Sequence, residues 1–368
     1  MMLGANLETR GGHRMEFGSD NVVGASAPIV EAIAVAARAG REGTYGSDRW
    51  TQSAVRRLED LFERKLSVLL MTTGTAANAL SLATVTPPWG GVFCHDMAHI
   101  NDEECGAPEF FTAGGKLIGV AGPGGKMTAR ALTETLARFP RGGTRHVHAA
   151  TLSLSQATES GTAYACEEIG ALAEVARGAG LSVHMDGARF ANALVDLRCT
   201  PAEMTWKAGV DILSFGATKN GALACEAIIA FDPGKAEILE IQRKRAGHTL
   251  SKGRFLGAQM DAYLADDHWL DLARHANRMA KRLADGLIEI AGIRLPWSRQ
   301  ANEVFAVLPG DIDAALKQAG AHYYEWDALG LSTDDVPRAG EVFIRLVCSF
   351  ETLEQEVDDF IRIAGGAR

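Results

Sequence analysis

Short apolar runs alternate with Ala-rich stretches of helical period along most of this chain. Strand-like runs fall at 67–71, 92–95, 116–120, 146–154, 181–185, 212–215 and 227–231. Between and before them, apolar residues recur every three or four positions in 28–40, 51–65, 129–139 and 167–180, and a further helix opens at Ala76. Strands separated by single helices suit right-handed β-α-β crossovers, so the pattern predicts a mostly parallel sheet. The region 235–291 is charged and mainly helical. Beyond Gly292 shorter mixed elements lead to an acidic helix at 353–364. The expectation is an α/β protein: an N-terminal extension at 1–16, a large domain at 17–250, and a smaller α+β C-terminal domain at 251–368.

Composition narrows the functional classes. A chain of 368 residues that is 47% hydrophobic can bury a full core. Its formal net charge of −9 argues against general affinity for nucleic acid or acidic membrane surfaces, which favour clustered Lys and Arg. Residues 1–15 lack an apolar central run, and no later segment approaches the ~20 apolar residues that cross a bilayer, so a cytoplasmic protein is expected. Cys94, Cys105, Cys166, Cys199, Cys225 and Cys348 show no metal-ligand spacing and predict buried free thiols.

Candidate chemistry lies at the ends of two of the strand-like runs. His184-Met185-Asp186-Gly187-Ala188-Arg189 puts an acid at the end of one, and Ser214-Phe215-Gly216-Ala217-Thr218-Lys219-Asn220-Gly221 puts a lysine at the end of another. Ligands in open α/β sheets bind at the carboxyl ends of strands. An acid that keeps a pyridine nitrogen protonated and a lysine that forms a Schiff base are together what pyridoxal phosphate requires. A third strand end, Thr72-Thr73-Gly74-Thr75-Ala76-Ala77-Asn78, opens a helix, where unpaired N–H groups and small hydroxyls favour a phosphate. Gly122-Pro123-Gly124-Gly125-Lys126 fails the P-loop pattern and reads as a turn. His146 and His148 share a strand face without a carboxylate or thiolate close by, so no metal is expected.

In order and spacing the motifs resemble the threonine aldolase and β-eliminating lyase family of fold-type-I pyridoxal-phosphate enzymes, its low-specificity L-threonine aldolases in particular. The resemblance runs from Phe17 to about Phe350. It is carried by Gly18-Ser19-Asp20-Asn21, Thr44-Tyr45-Gly46-Ser47-Asp48, Thr73 to Asn78, Ala98-His99, His184 to Arg189, Thr218 to Gly221 and Ile344-Arg345-Leu346-Val347.

The resemblance implies that Lys219 carries the cofactor, that Asp186 pairs with its ring nitrogen, and that Gly74, Thr75, Ala76 and the Thr218 hydroxyl hold its phosphate. Lys244 and Arg254 would add positive charge there, across a subunit interface. Arg345 would grip the substrate carboxylate, helped by Ser19 and Arg189, with Tyr45 completing the site. His99 would stack on the ring near the substrate hydroxyl, where an imidazole of pKa ~6.5 suits proton transfer. Where some relatives carry a second histidine, this chain reads Ala157-Thr158-Glu159-Ser160-Gly161, which leaves Glu159 or a water in its place. The implied reaction is cleavage of a β-hydroxy-α-amino acid to glycine and an aldehyde, in a homodimer or homotetramer. Two alternatives remain: β-elimination or dehydration by the same cofactor, and a catalytically silent binding relative.

Overall fold

The computed structural model describes residues 15–140 and 142–366, so residues 1–14 of the expected N-terminal extension lie outside the described residues. The larger sheet contains, in chain order, β1 (Ser67–Met71), β2 (Gly90–His95), β3 (Lys116–Val120), β4 (His148–Ser155), β5 (Ser182–Gly187), β6 (Ile212–Gly216) and β7 (Glu226–Ala230). Across the sheet the order is β1-β7-β6-β5-β4-β2-β3. Successive residues of a strand point to opposite faces, and β2, β6 and β7 are buried at every position, so both faces are covered. That is why these strands read as apolar runs without alternation.

The neighbours from β6 through β5, β4 and β2 to β3 pair in parallel, whereas β7 runs against both β1 and β6. As a result β1 to β6 all end at one edge, and β7 begins there. Glu226, the first residue of β7, pairs with Met71 and Gly216, the last residues of β1 and β6.

Local sequence explains the covering helices. The helix Arg49–Leu61 is capped by Asp48, which accepts from the Thr51 N–H at 2.9 Å, and it buries Ala54 and Leu58, four residues apart on one face. The helix Gly74–Val85 is buried from Ala76 through Thr84, its small side chains fitting it between the sheet and the helices Ala107–Phe111 and Ala236–Arg245.

A smaller antiparallel sheet holds β8 (Glu303–Pro309), β9 (Tyr324–Glu325) and, between them, β10 (Glu341–Val347). Its core gathers Leu283, Leu287, Val304, Leu346 and Phe360, and also Phe17. Phe17 meets Phe360 edge-on at 5.2 Å, and its backbone bonds His322 and Val347 at 2.8 Å each. The helix His268–Ile288 joins the two cores, with Trp269 and Ala273 in the first and Met279 and Leu283 in the second.

The helical region 235–291 divides into Ala236–Arg245, Arg254–Leu264 and His268–Ile288. Positive φ at Gly247 (75°), Asp266 (50°) and Asp267 (58°) ends α-helical geometry at the breaks. The six cysteines are free thiols, but only Cys94, Cys225 and Cys348 are buried as expected; Cys166 and Cys199 are half-buried and Cys105 is exposed. Among the described residues no helix is long and apolar enough to cross a membrane.

Candidate active site

The edge where six strands end opens into a cavity of about 400 Å³, walled by Gly74, Thr75, His99, Glu159, Asp186 and Lys219 among others. The acid and lysine expected to act together therefore share one space, although they come from β5 and from the turn after β6.

Asp186 is held from two sides. Its Oδ1 accepts from the Ala188 N–H at 3.0 Å and its Oδ2 from Asn78 Nδ2 at 2.8 Å. The strand ends that carry Asp186 and Lys219 approach through glycine: a Cβ on Gly216 would lie 2.5 Å from the Ala188 carbonyl oxygen, and one on Gly187 2.8 Å from that of Ser214. Beneath them His184 bridges Ser153 at 2.9 Å and Ser214 at 3.0 Å, and burial lowers it to about 4, so it stays neutral.

Lys219 sits in a single turn, Thr218–Asn220. The Asn220 side chain fixes that turn by donating to Tyr263 Oη and the Trp269 carbonyl at 2.8 Å each. Among the described residues the Lys219 amine has no hydrogen-bond partner, although its charge lowers the pKa of Asp20. Glu226 stands at the same edge, where burial pushes it up to about 7 against the Thr218 hydrogen bond, the Ala217 N–H and the Lys219 charge.

At the start of the helix Gly74–Val85, Thr73 Oγ1 accepts from the Ala76 N–H at 3.2 Å. Ala76 therefore spends its donor on the cap and stays out of the cavity wall. The N–H groups of Gly74 and Thr75 take no acceptor among the described residues, and a Cβ on Gly74 would meet no atom within 4 Å. Thr218 lines the same wall, with its hydroxyl accepting from the Cys225 N–H at 3.1 Å.

Other expected residues are arranged differently within one chain. Tyr45 is exposed and lines a separate pocket beside Gly253. Lys244 is exposed on the helix Ala236–Arg245, and Arg254 donates to the Ala39 and Gly40 carbonyls. Ser19 accepts from the Asn21 N–H at 3.1 Å and does not line the cavity. Arg189 lines it, but its fork is engaged: two nitrogens bond Asp20 at 2.8 and 3.1 Å, and the third lies 3.3 Å from Glu303. Burial would raise Asp20. The charges of Arg189 and Lys219, with hydrogen bonds from Arg189 and Asn302, outweigh it and hold Asp20 below the usual carboxylate range.

Arg345 keeps donors to spare. Its guanidinium stacks 4.0 Å from the Trp326 ring, and its buried Nε has no acceptor among the described residues. Trp326 lines a second chamber of about 400 Å³ with Met97 and Leu329, and His99 and Glu159 form the wall it shares with the first.

Three functional residues escaped the sequence reading. Glu104 Oε1 accepts from His99 Nδ1 and Asn78 Nδ2, both at 2.9 Å, so Asn78 ties His99 to Asp186 through one buried network. The Glu104 hydrogen bond raises His99 above its ordinary pKa despite burial. Trp326 is the third, and only its stacking on Arg345 reveals it. Asn78 lay within a recognised motif, whereas Glu104 was one acid among several in Asp102-Glu103-Glu104.

The model of the beta-eliminating lyase family matches residues 16–309. A low specificity L-threonine aldolase of Pseudomonas aeruginosa is 39% identical over 350 residues, covering 95% of this chain and 97% of that protein. A second, from a Pseudomonas species, is 38% identical over 342 residues, covering 93% and 94%. Among solved structures, a Leishmania major threonine aldolase superposes with a TM-score of 0.87 at 28% identity, covering 95% of this chain and 98% of that one. A Sphingomonas wittichii serine palmitoyltransferase, 15% identical with a TM-score of 0.70 and covering 96% and 86%, shares the fold. The expected fold-type-I architecture is thus borne out. A family match over most of the chain, with two relatives matched over nearly their full length at 38–39% identity, leads to one assignment: the chain belongs to the beta-eliminating lyase family.

Proposed function

We propose that this protein cleaves β-hydroxy-α-amino acids, L-threonine and L-allo-threonine among them, to glycine and an aldehyde, with pyridoxal phosphate as cofactor. The observation that carries the reading is the meeting in one cavity of Asp186 with a Lys219 amine and two helix-start N–H groups that have no partner among the described residues. Gly74 leaves room for a phosphate where a side chain would intrude. The relatives named as L-threonine aldolases support the substrate class.

When bound there, pyridoxal phosphate supplies a ring that withdraws the electron pair released on the substrate Cα. Lys219 would hold the cofactor covalently through its amine. Asp186, held in place by two N–H donors, would pair with the ring nitrogen and keep it protonated. The Gly74 and Thr75 N–H groups and the Thr218 hydroxyl bind phosphate at the positive end of a helix dipole. Arg345, with its unspent Nε, grips the α-carboxylate. Arg189 positions that end of the site through Asp20 and Glu303. His99, fixed by Glu104, would pack against the cofactor from the cavity wall. The second chamber, with its Trp326, Met97 and Leu329 walls, receives the substrate side chain.

The same reading makes the protein a homodimer or homotetramer in which the exposed Tyr45 and Lys244 and the half-buried Arg254 face a neighbouring copy's cavity. It works in the cytoplasm on free amino acids, in keeping with its six free thiols. Borohydride reduction of the cofactor-loaded protein followed by peptide mass analysis tests the assignment. A pyridoxyl group on Lys219, lost in Lys219→Ala, is expected; labelling at another lysine, or none, contradicts it.

A further inference from the structure

Glu159 lies at the junction of the two chambers, on a loop that is firmly held. Thr162 Oγ1 donates to the Gly124 carbonyl at 2.6 Å, the Thr158 N–H to the Thr162 carbonyl at 2.9 Å, and Gln156 Nε2 to the Tyr164 carbonyl at 2.9 Å. The turn Pro123–Gly125 fits beneath this loop because Gly124 and Gly125 take φ of 61° and 73°, and a Cβ on Gly125 would lie 2.8 Å from Thr158 Oγ1. One carboxylate oxygen of Glu159 is spoken for: Oε1 accepts from Ser155 Oγ at 2.7 Å and from the His99 N–H at 2.9 Å. The other, Oε2, is buried and has no partner among the described residues. An orphaned buried acceptor is costly, so one that borders both chambers marks a place where a donor is to arrive.

We propose that Glu159 is the base that takes the proton of the substrate β-hydroxyl, and that His99 is not. This inference rests on the proposed aldol cleavage and names the residue that begins it. The His99 ring faces a carboxylate at each nitrogen, with Glu104 Oε1 2.9 Å from Nδ1 and Glu103 Oε2 3.7 Å from Nε2, so both nitrogens are placed to donate and not to accept. Burial raises Glu159 to about 7, offset in part by its two donors and reinforced by Asp186, which suits a base working near neutrality. The other titratable and charged groups facing it are Arg189 from the turn after β5, Cys94 from β2, and Tyr164. In the step, the β-oxygen loses its proton to Oε2 and the freed O–H pair becomes the second C–O bond of the aldehyde. The Cα–Cβ pair stays with Cα, which later gains one proton to complete glycine. The proton count balances without any further reactant.

Glu159→Gln tests this in the cofactor-loaded enzyme, since the amide oxygen can still accept from Ser155 and His99. We expect kcat for L-threonine and L-allo-threonine to fall about 100-fold or more, with KM within about threefold. The ascending limb of the kcat/KM profile near pH 7 should vanish, and Glu159→Asp should recover part of the rate. Exchange of the glycine α-proton with deuterated water needs no β-hydroxyl, so it should persist in Glu159→Gln. In cofactor-free protein, pH-difference infrared spectra should show a carboxyl band titrating near 7 in the wild type and not in the variant. Cleavage by Glu159→Gln within about threefold of wild type, a retained pH limb, or equal loss of glycine exchange would overturn the assignment. Absence of cleavage by the wild type would instead overturn the underlying reading, and this one with it.

Discussion

Replacing Asn78 with alanine removes the link between the acid at the ring-nitrogen position and the carboxylate behind His99. Asn78 is 2% exposed, and its one amide nitrogen donates to Asp186 at 2.8 Å and to Glu104 at 2.9 Å. Each hydrogen bond to a charged group is worth about 1.5–3 kcal/mol, so the pair sets a ceiling of about 6 kcal/mol. The Asp186 side of the network borders the cavity, where water can replace part of what is lost, so a destabilisation of about 3 kcal/mol is expected. That is a large share of the ~5–15 kcal/mol by which such a protein is stable, and loss of core volume contributes little because only a short polar side chain goes. Asp186, freed on one side, should also bind cofactor about tenfold more weakly, the equivalent of about 1.4 kcal/mol. Asn78→Asp should be worse, because an ionised carboxylate donates nothing and adds a third negative charge. Urea unfolding of cofactor-free protein gives the stability change, and titration with pyridoxal phosphate gives the affinity. An Asn78→Ala protein within about 0.5 kcal/mol of wild type, with unchanged cofactor affinity, would refute the reasoning.

Gly216→Ala should force apart the two strand ends that carry Asp186 and Lys219, since its Cβ would sit 2.5 Å from a backbone oxygen. Overpacking of this kind costs about 1–3 kcal/mol, and unchanged cofactor affinity would contradict the close approach. Asp20 has a depressed folded pKa, so its stabilisation is complete above the unfolded value of about 3.9 and is lost as pH falls through the lower folded value. Asp20→Asn should therefore flatten the acid-side loss of stability, and matching urea midpoints against pH in the two proteins would count against the Arg189 pairing. His99 is shifted the other way by Glu104, so its contribution is present below about 6.5 and fades as pH rises through the raised folded value. In Glu104→Gln the His99 ring should titrate lower by NMR, and an unmoved titration would exclude the Glu104 hydrogen bond as the cause.

What could be read from the sequence was local. Asp186 and Lys219 stood out because each ends a run of apolar residues, and the strand–helix alternation is a property of neighbouring positions. The strand ends shifted where polar or small residues extend the ladder, as Ser155, Gly187 and Gly216 do. The reversed direction of β7 left no mark on periodicity, yet it is what brings the buried Glu226 to the active edge. The connections that fix the site were also beyond reach, because their partners are remote in the chain. Asn78 and Asp186 lie 108 residues apart, and Asp20 and Arg189 lie 169 apart. Arg189 shows the consequence: its motif suggested a free carboxylate-binding fork, and the fold instead gives that fork to Asp20 and Glu303.

The most direct test of the whole account is product analysis of the cofactor-loaded protein with L-threonine and with L-allo-threonine. Glycine and acetaldehyde released in equal amounts is the result the account predicts. Release of 2-oxobutyrate and ammonia instead would show that the same residues break the bond to the β-oxygen, not the Cα–Cβ bond, and would contradict it.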